Sequence, residues 1–208
     1  LTREQEVISF YSNRFQQHGD SYQAFDYGSR LSQAKRFEVL ARVGDLEGSS
    51  VLDVGCGTAD FYLFLQEKGI RCEYHGCDLV PEFIAAARQK APGRFYAGDF
   101  LDVEFNRQFD YVICSGMLNF LGQAEKSRAF AILDKMVALA TKAVGVNFHS
   151  SLARQPGAHY VVAYDPCQVL AYSLARYSSR LVLDHSYFPH DFTLFVYKKP
   201  FPEPGQAK

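Results

Sequence analysis

The sequence predicts an α/β fold: a doubly wound, mainly parallel seven-stranded sheet with a terminal antiparallel strand and an N-terminal helical cap. Three observations carry this. From residue 50 onward, short aliphatic and aromatic runs alternate with longer helix-patterned segments, the order of a parallel sheet with crossover helices. Val51-Leu52-Asp53-Val54 runs through Gly55-Cys56-Gly57 into Phe61-Tyr62-Leu63-Phe64-Leu65: a strand, a glycine turn and a helix start, which together form a ligand crevice. Finally, the strand-like runs 180–185 and 192–197 have no helical segment between them and are expected to pair as an antiparallel hairpin.

Residues 4–17 and 31–43 read as helices joined by the aromatic linker Ser21-Tyr22-Gln23-Ala24-Phe25-Asp26-Tyr27. They form the expected cap, residues 1–45, which is either a layer over a sheet edge, a lid over a ligand, or both. Residues 50–199 are the expected core of the same domain. Its first strand is 51–54, and a second, 72–77, ends at Asp78. Pro81 opens a helix through Lys90. Strands at 94–97 and 109–114 follow, then an amphipathic helix at 126–140 and a fifth strand at 143–148. Asp165-Pro166 caps a helix through Arg176. The tail 200–208, rich in proline, is expected to be disordered.

Composition narrows the function classes. The 208 residues suffice for one domain with a sizeable core. A formal net charge of −1 gives no general attraction for phosphate backbones and argues against a nucleic-acid substrate. No apolar run approaches the ~20 residues that span a bilayer, and Thr2-Arg3-Glu4-Gln5-Glu6 does not resemble a signal peptide. Five cysteines without a CxxC pair fit a reduced, cytoplasmic chain without disulfides or a metal site. Oligomeric state is not legible.

The glycine turn lacks one feature of a dinucleotide site. Asp60 stands where a third glycine would pack helix against strand around a pyrophosphate. With Asp53 nearby, the site suits a positively charged ligand. The segment 51–60 resembles the first motif of class I S-adenosylmethionine-dependent methyltransferases. Asp78, closing the second strand, is placed to accept both ribose hydroxyls. Asp99-Phe100 after the third strand resembles the family motif beside the adenine, and Leu79 is expected on its other face. Ser115 and Gly116, after the fourth strand, would lie under the methionine portion of the cofactor. Asp53 either organises the Gly55-Cys56-Gly57 loop through backbone amides or faces the ammonium group. For the cofactor carboxylate, Tyr11, Arg14 and Arg36 are candidate donors. The resemblance implies S-adenosylmethionine as cofactor, S-adenosylhomocysteine as product, and a small-molecule acceptor.

Methyl transfer from a sulfonium needs alignment and exclusion of water, and a base only where the acceptor loses a proton. The acceptor mouth is expected among Met117, Leu118, Asn119 and Phe120, and among Asn147, Phe148 and His149. His149 is the candidate base, since imidazole titrates near neutral pH; His18 in the cap is the second choice of base and a substrate-contact candidate. Tyr160 and Tyr164 either line the pocket or sit in the core. There is no Asn/Asp-Pro-Pro-Tyr/Phe segment after the fourth strand, no cysteine pair for an RNA-base thiol cycle, and no acidic cluster for a metal-dependent catechol site. A macromolecular acceptor is the rival if Lys35, Arg36 and Arg42 form one basic stripe. A non-catalytic cofactor-binding protein is the other.

Overall fold

The computed structural model describes residues 2–120, 126–153 and 161–198, with backbone alone at Phe120 and Lys126. Two helices, α1 (Arg3–His18) and α2 (Arg30–Leu40), precede β1 (Ser50–Val54), α3 (Asp60–Glu67), β2 (Glu73–Asp78), α4 (Pro81–Lys90) and β3 (Arg94–Ala97). The chain then forms β4 (Phe109–Cys114), a 3₁₀ turn (Met117–Phe120), α5 (Lys126–Leu139), β5 (Ala140–His149), α6 (Pro166–Arg176), β6 (Leu181–Phe188) and β7 (Asp191–Tyr197). The expected tail, 200–208, lies outside the described residues.

The strand order is β3-β2-β1-β4-β5-β7-β6. The first five are parallel; β7 runs antiparallel to both β5 and β6. From β1 the chain winds outward through β2 and β3, then returns to β4 on the other side. That reversal opens a crevice at the carboxyl ends of β1 and β4.

Alternation along the strands serves both faces. Leu52, Val54, Val112, Val144 and Val146 pack with Leu133 and Met136 of α5 and Val169 of α6. On the other face Val51, Ile113 and Ala143 pack with Leu40 of α2, Phe61 of α3 and Ile84 of α4.

The expected elements form with small shifts. β5 is longer at both ends than 143–148, because Ala140 pairs with Phe109 across a bulge and His149 pairs with Asp191 of β7. The helix expected to reach Ala140 therefore stops at Leu139, and His149 is the last residue of the strand, not the first residue after it. The second cap helix ends at Leu40, where the chain tightens into a 3₁₀ turn to Val43.

Within the cap, α2 is part of the core, whereas α1 is attached more lightly. α1 buries none of its residues, though Thr2 closes its start with a full capping box. Phe15 and Tyr11 meet Phe83 of α4 edge-on, with ring centroids 5.3 and 6.1 Å apart. Arg14 holds the linker through Asp26, at 3.0 Å, and the Gln23 carbonyl. Asp20 accepts from Thr58 Oγ1 at 2.6 Å and forms an ion pair with Lys90.

Few buried contacts mean a low cost of local opening. Amides of α1 should exchange with solvent faster than those of β1 and β4, and Lys90→Met should speed exchange further across residues 19–27. Protection of α1 equal to that of β4 would contradict this attachment.

Candidate active site

The glycine loop is shaped by backbone geometry. Gly55 has φ +75° and Gly57 φ +52°, a left-handed region that favours glycine. A Cβ on Gly55 would lie 2.7 Å from Met117 Cβ, and one on Gly57 would lie 2.8 Å from the Phe25 ring. The amides of Gly55 and Cys56 donate to the Cys77 carbonyl at 2.8 and 3.1 Å. The Asp78 carboxylate accepts from Gly57 N at 2.8 Å and from Val80 N at 2.9 Å. One side chain thus joins the β1–α3 turn to the β2–α4 turn.

Above this loop lies a cavity of about 290 Å³. Asp53, Gly55, Cys56, Gly57, Asp78, Leu79, Asp99, Phe100, Ser115 and Gly116 all line it, as the sequence led us to expect. Tyr11, Phe25 and Tyr27 roof it from the cap, and Asn119, His149 and His190 line its wall beyond β4.

The acids along this wall differ in their electrostatics. Asp53 is buried, and Oδ2 accepts from the Tyr74 hydroxyl at 2.6 Å. Oδ1 is buried without a hydrogen-bond partner. Burial pushes the Asp53 carboxyl up to about 7; the Tyr74 bond opposes the rise, and the charges of Asp78 and Asp60 add to it. Burial likewise raises Asp78 to about 6, against the backbone donors that favour its ionised form. Asp53 therefore does not organise the glycine loop through amides. It is held from β2, with one oxygen left open.

Asp60 also lines the cavity, but its charge is already met. Lys90 Nζ lies 3.2 Å away, and Gln33 Nε2 of α2 donates to it at 2.9 Å. The acid that replaces the third glycine ties the cap to the start of α3 and adds little charge to the cavity. Asp99 is engaged too, pairing with Arg128 of α5 and accepting from Leu101 N at 2.9 Å.

Other expected contacts are corrected. Asn147 is buried and absent from the cavity wall. It accepts from Ser115 Oγ at 3.1 Å and donates to Thr193 Oγ1 at 2.7 Å, a polar bridge between β4, β5 and β7. His18 ends α1 on the solvent side and does not reach the cavity. Phe148 stacks on Phe192 in the core, with centroids 5.1 Å apart. Tyr164 is core as well, its hydroxyl donating to the Leu118 carbonyl at 2.9 Å. Arg14 serves the linker and does not line the cavity. The Phe120 side chain and Tyr160 lie outside the described residues.

Sequence reasoning missed Tyr27, Phe83, Asp191 and His190. Tyr27 donates to or accepts from Ser115 Oγ at 3.1 Å, and the Arg36 guanidinium lies 5.2 Å from its ring centre. Only the richness of aromatics in the linker hinted at Tyr27. Lys35 pairs with Glu38, Arg42 with Glu38 and Arg36 with Asp191, so these three cations do not combine into an unpaired basic stripe.

Residues 51–139 match the family model of a methyltransferase domain. Over that segment the chain is similar to methyltransferases. The chain is similar to a putative methyltransferase of Mycobacterium tuberculosis, 29% identical over 72% of this chain and 93% of the relative. It is 38% identical to the demethylmenaquinone methyltransferase of Deinococcus radiodurans over 43% of this chain, spanning 42% of that protein. Among solved structures, the magnesium protoporphyrin IX methyltransferase of Synechocystis with S-adenosylhomocysteine bound has the same fold. Its TM-score is 0.67 at 17% identity, over 94% of this chain and 100% of that one. Among the described residues, no helix is long and apolar enough to cross a membrane, and all five cysteines are free thiols.

The raised Asp53 carboxyl has a signed consequence. Its folded value, about 7, lies above the ~3.9 of an unfolded aspartate. The native state therefore binds more protons between those values, and this group lowers stability as pH rises through that window. In the ligand-free protein, Asp53→Asn should gain thermal stability relative to wild type between pH 5 and 7.5. A constant difference in Tm across that range would contradict the assignment.

Proposed function

We propose that this chain transfers the methyl group of S-adenosylmethionine to a small-molecule acceptor. The cofactor lies across the ends of β1, β2 and β4, and the acceptor enters toward the ends of β5 and β7. The observation that carries this reading is the open oxygen of Asp53. Asp53 lines the cavity, and a buried carboxylate oxygen without a partner is costly unless a donor or cation meets it. An ammonium group does so; a pyrophosphate would add repulsion.

The remaining residues take complementary roles. A carboxylate offers about four acceptor positions, so Asp78 holds its two backbone amides and still receives ribose hydroxyls. Phe100 and Leu79 sandwich the adenine, and Asp99 accepts at its edge while paired with Arg128. Ser115 and Gly116 support the methionine portion. Tyr11 and Arg36 are the donors for its carboxylate, Arg36 through a buried Nε that has no partner in the protein. When bound, the cofactor supplies an electrophilic methyl on a sulfonium. The chain's own residues align the acceptor, exclude water beneath the cap and, through His149, accept a proton at Nε2. Asn119 holds the backbone of that histidine, its Oδ1 accepting from His149 N at 2.9 Å. A small acceptor suits a cavity of about 290 Å³ roofed by aromatic cap residues.

Calorimetry should give micromolar binding of S-adenosylmethionine or S-adenosylhomocysteine, without competition from NAD. Losing an ionised acceptor of two hydroxyl bonds costs about 1.5–3 kcal/mol, or roughly 10- to 150-fold in affinity. Asp78→Ala should weaken binding by that factor with the fold intact. Tight NAD binding with no response to S-adenosylmethionine would overturn the reading.

A further inference from the structure

The antiparallel end of the sheet holds a charged cluster around Asp191, a residue given no role in the site so far. His149 closes β5 directly opposite Asp191, which opens β7. Asp191 is fully buried. Its Oδ2 lies 2.6 Å from Arg36 Nη2, and its Oδ1 lies 3.5 Å from His149 Nδ1. Neither Asp191 oxygen makes a hydrogen bond of good geometry. The carboxylate itself is not on the cavity wall, whereas Arg36, His149 and His190 are.

We propose that Asp191 is the positioning residue for His149, fixing the imidazole with its proton on Nδ1 and its lone pair on Nε2 at the cavity. The inference rests on reading the cavity as a methyl-transfer site. An ion pair with Arg36 engages one side of the carboxylate. The other oxygen is buried, and leaving such an acceptor unmet is costly. Among described residues, the His149 Nδ1–H is the donor within reach of Oδ1. The 3.5 Å separation is long for a hydrogen bond, as catalytic pairs often are before the reacting groups assemble. The His149 backbone is already fixed, since its N–H donates to Asn119 Oδ1 and its carbonyl accepts from Tyr164 N at 2.8 Å. Only the ring torsions remain to be set, and Asp191 sets them.

Four groups from different elements face the carboxylate. Arg36 comes from α2 and His149 from β5. His190 comes from the β6–β7 turn, with Nε2 3.6 Å from Oδ2. Tyr187 comes from β6, where the nearby Asp191 charge helps to hold its hydroxyl neutral, behind the larger effect of burial. Burial lowers His190 below the usual histidine value, which leaves His149 as the imidazole served by the acid. The orienting logic is that of an acid behind a histidine base in nucleophilic catalysis. In the transfer step the acceptor O–H proton passes to His149 Nε2 as the O–CH₃ bond forms and the S–CH₃ bond breaks. The sulfonium becomes a neutral thioether, and the new imidazolium lies beside Asp191. Such a pair serves an acceptor that arrives protonated, a phenol or enol, and adds nothing for a thiolate or free amine.

The test uses the ligand-free full chain labelled with ¹⁵N-histidine, with His149→Gln to assign the His149 signals. Proton–nitrogen correlation spectra should show the neutral His149 ring protonated at Nδ1. In Asp191→Asn, where a neutral amide replaces the carboxylate, the preference for Nδ1 should weaken. A ring protonated at Nε2, or a tautomer preference unchanged in the variant, would overturn the proposal. If Asp191→Asn does not fold, the wild-type tautomer alone decides. Because no cofactor is present, failure here is separate from failure to bind S-adenosylmethionine.

Discussion

The cofactor end of this molecule depends on one carboxylate, that of Asp78. By accepting from Gly57 N and Val80 N, it joins two turns that follow different strands. The glycine loop cannot drift from the end of β2 without breaking a charge-assisted bond. Cys77, its neighbour, fixes the same loop through its carbonyl. The floor of the cavity is therefore set before any ligand arrives, which reduces the ordering that binding must supply. Burial opposes ionisation of Asp78, and the backbone amides compensate in part.

The cavity is polarised along the sheet. Asp53, Asp78 and Asp99 line the side of β1 to β3; Arg36, His149 and His190 line the side of β5 and β7. A cationic ligand portion is favoured at the first side, and imidazole nitrogens face the second. The proposed methyl transfer from a sulfonium to a protic acceptor would use this division. The cap supplies the cover, yet α1 buries none of its own residues. Closure thus rests on a few ring contacts and on the Asp20–Lys90 and Arg14–Asp26 pairs, which suits a part that must open for exchange.

Most of the cavity wall at β1 to β3 was legible because its residues stand at strand ends that the chain marks locally. Val51–Val54 followed by two glycines, Asp78 before Pro81, and Asp99-Phe100 after a short strand each carry their position in a few residues. What was not legible comes from pairings across the fold. Asp60 reads as an open acid until Lys90, thirty positions on, is brought beside it. Asn147 reads as a mouth residue until β7 arrives and Thr193 takes its amide. Asp191 carries no local signal at all; its meaning comes from the antiparallel register that sets it against His149 and from a helix near the other end of the chain that brings Arg36. The lengthening of β5 to include His149 has the same origin.

The central claim is that one continuous cavity holds the cofactor at the β1–β2 end and the acceptor at the β5–β7 end. The most direct test is a crystal structure of the full chain with S-adenosylhomocysteine bound. The account predicts ribose hydroxyls on Asp78, the amino group on the open oxygen of Asp53, and the sulfur facing His149 across unfilled space. A sulfur packed against side chains with no room before His149, or an adenine lying among His149 and His190, would contradict it.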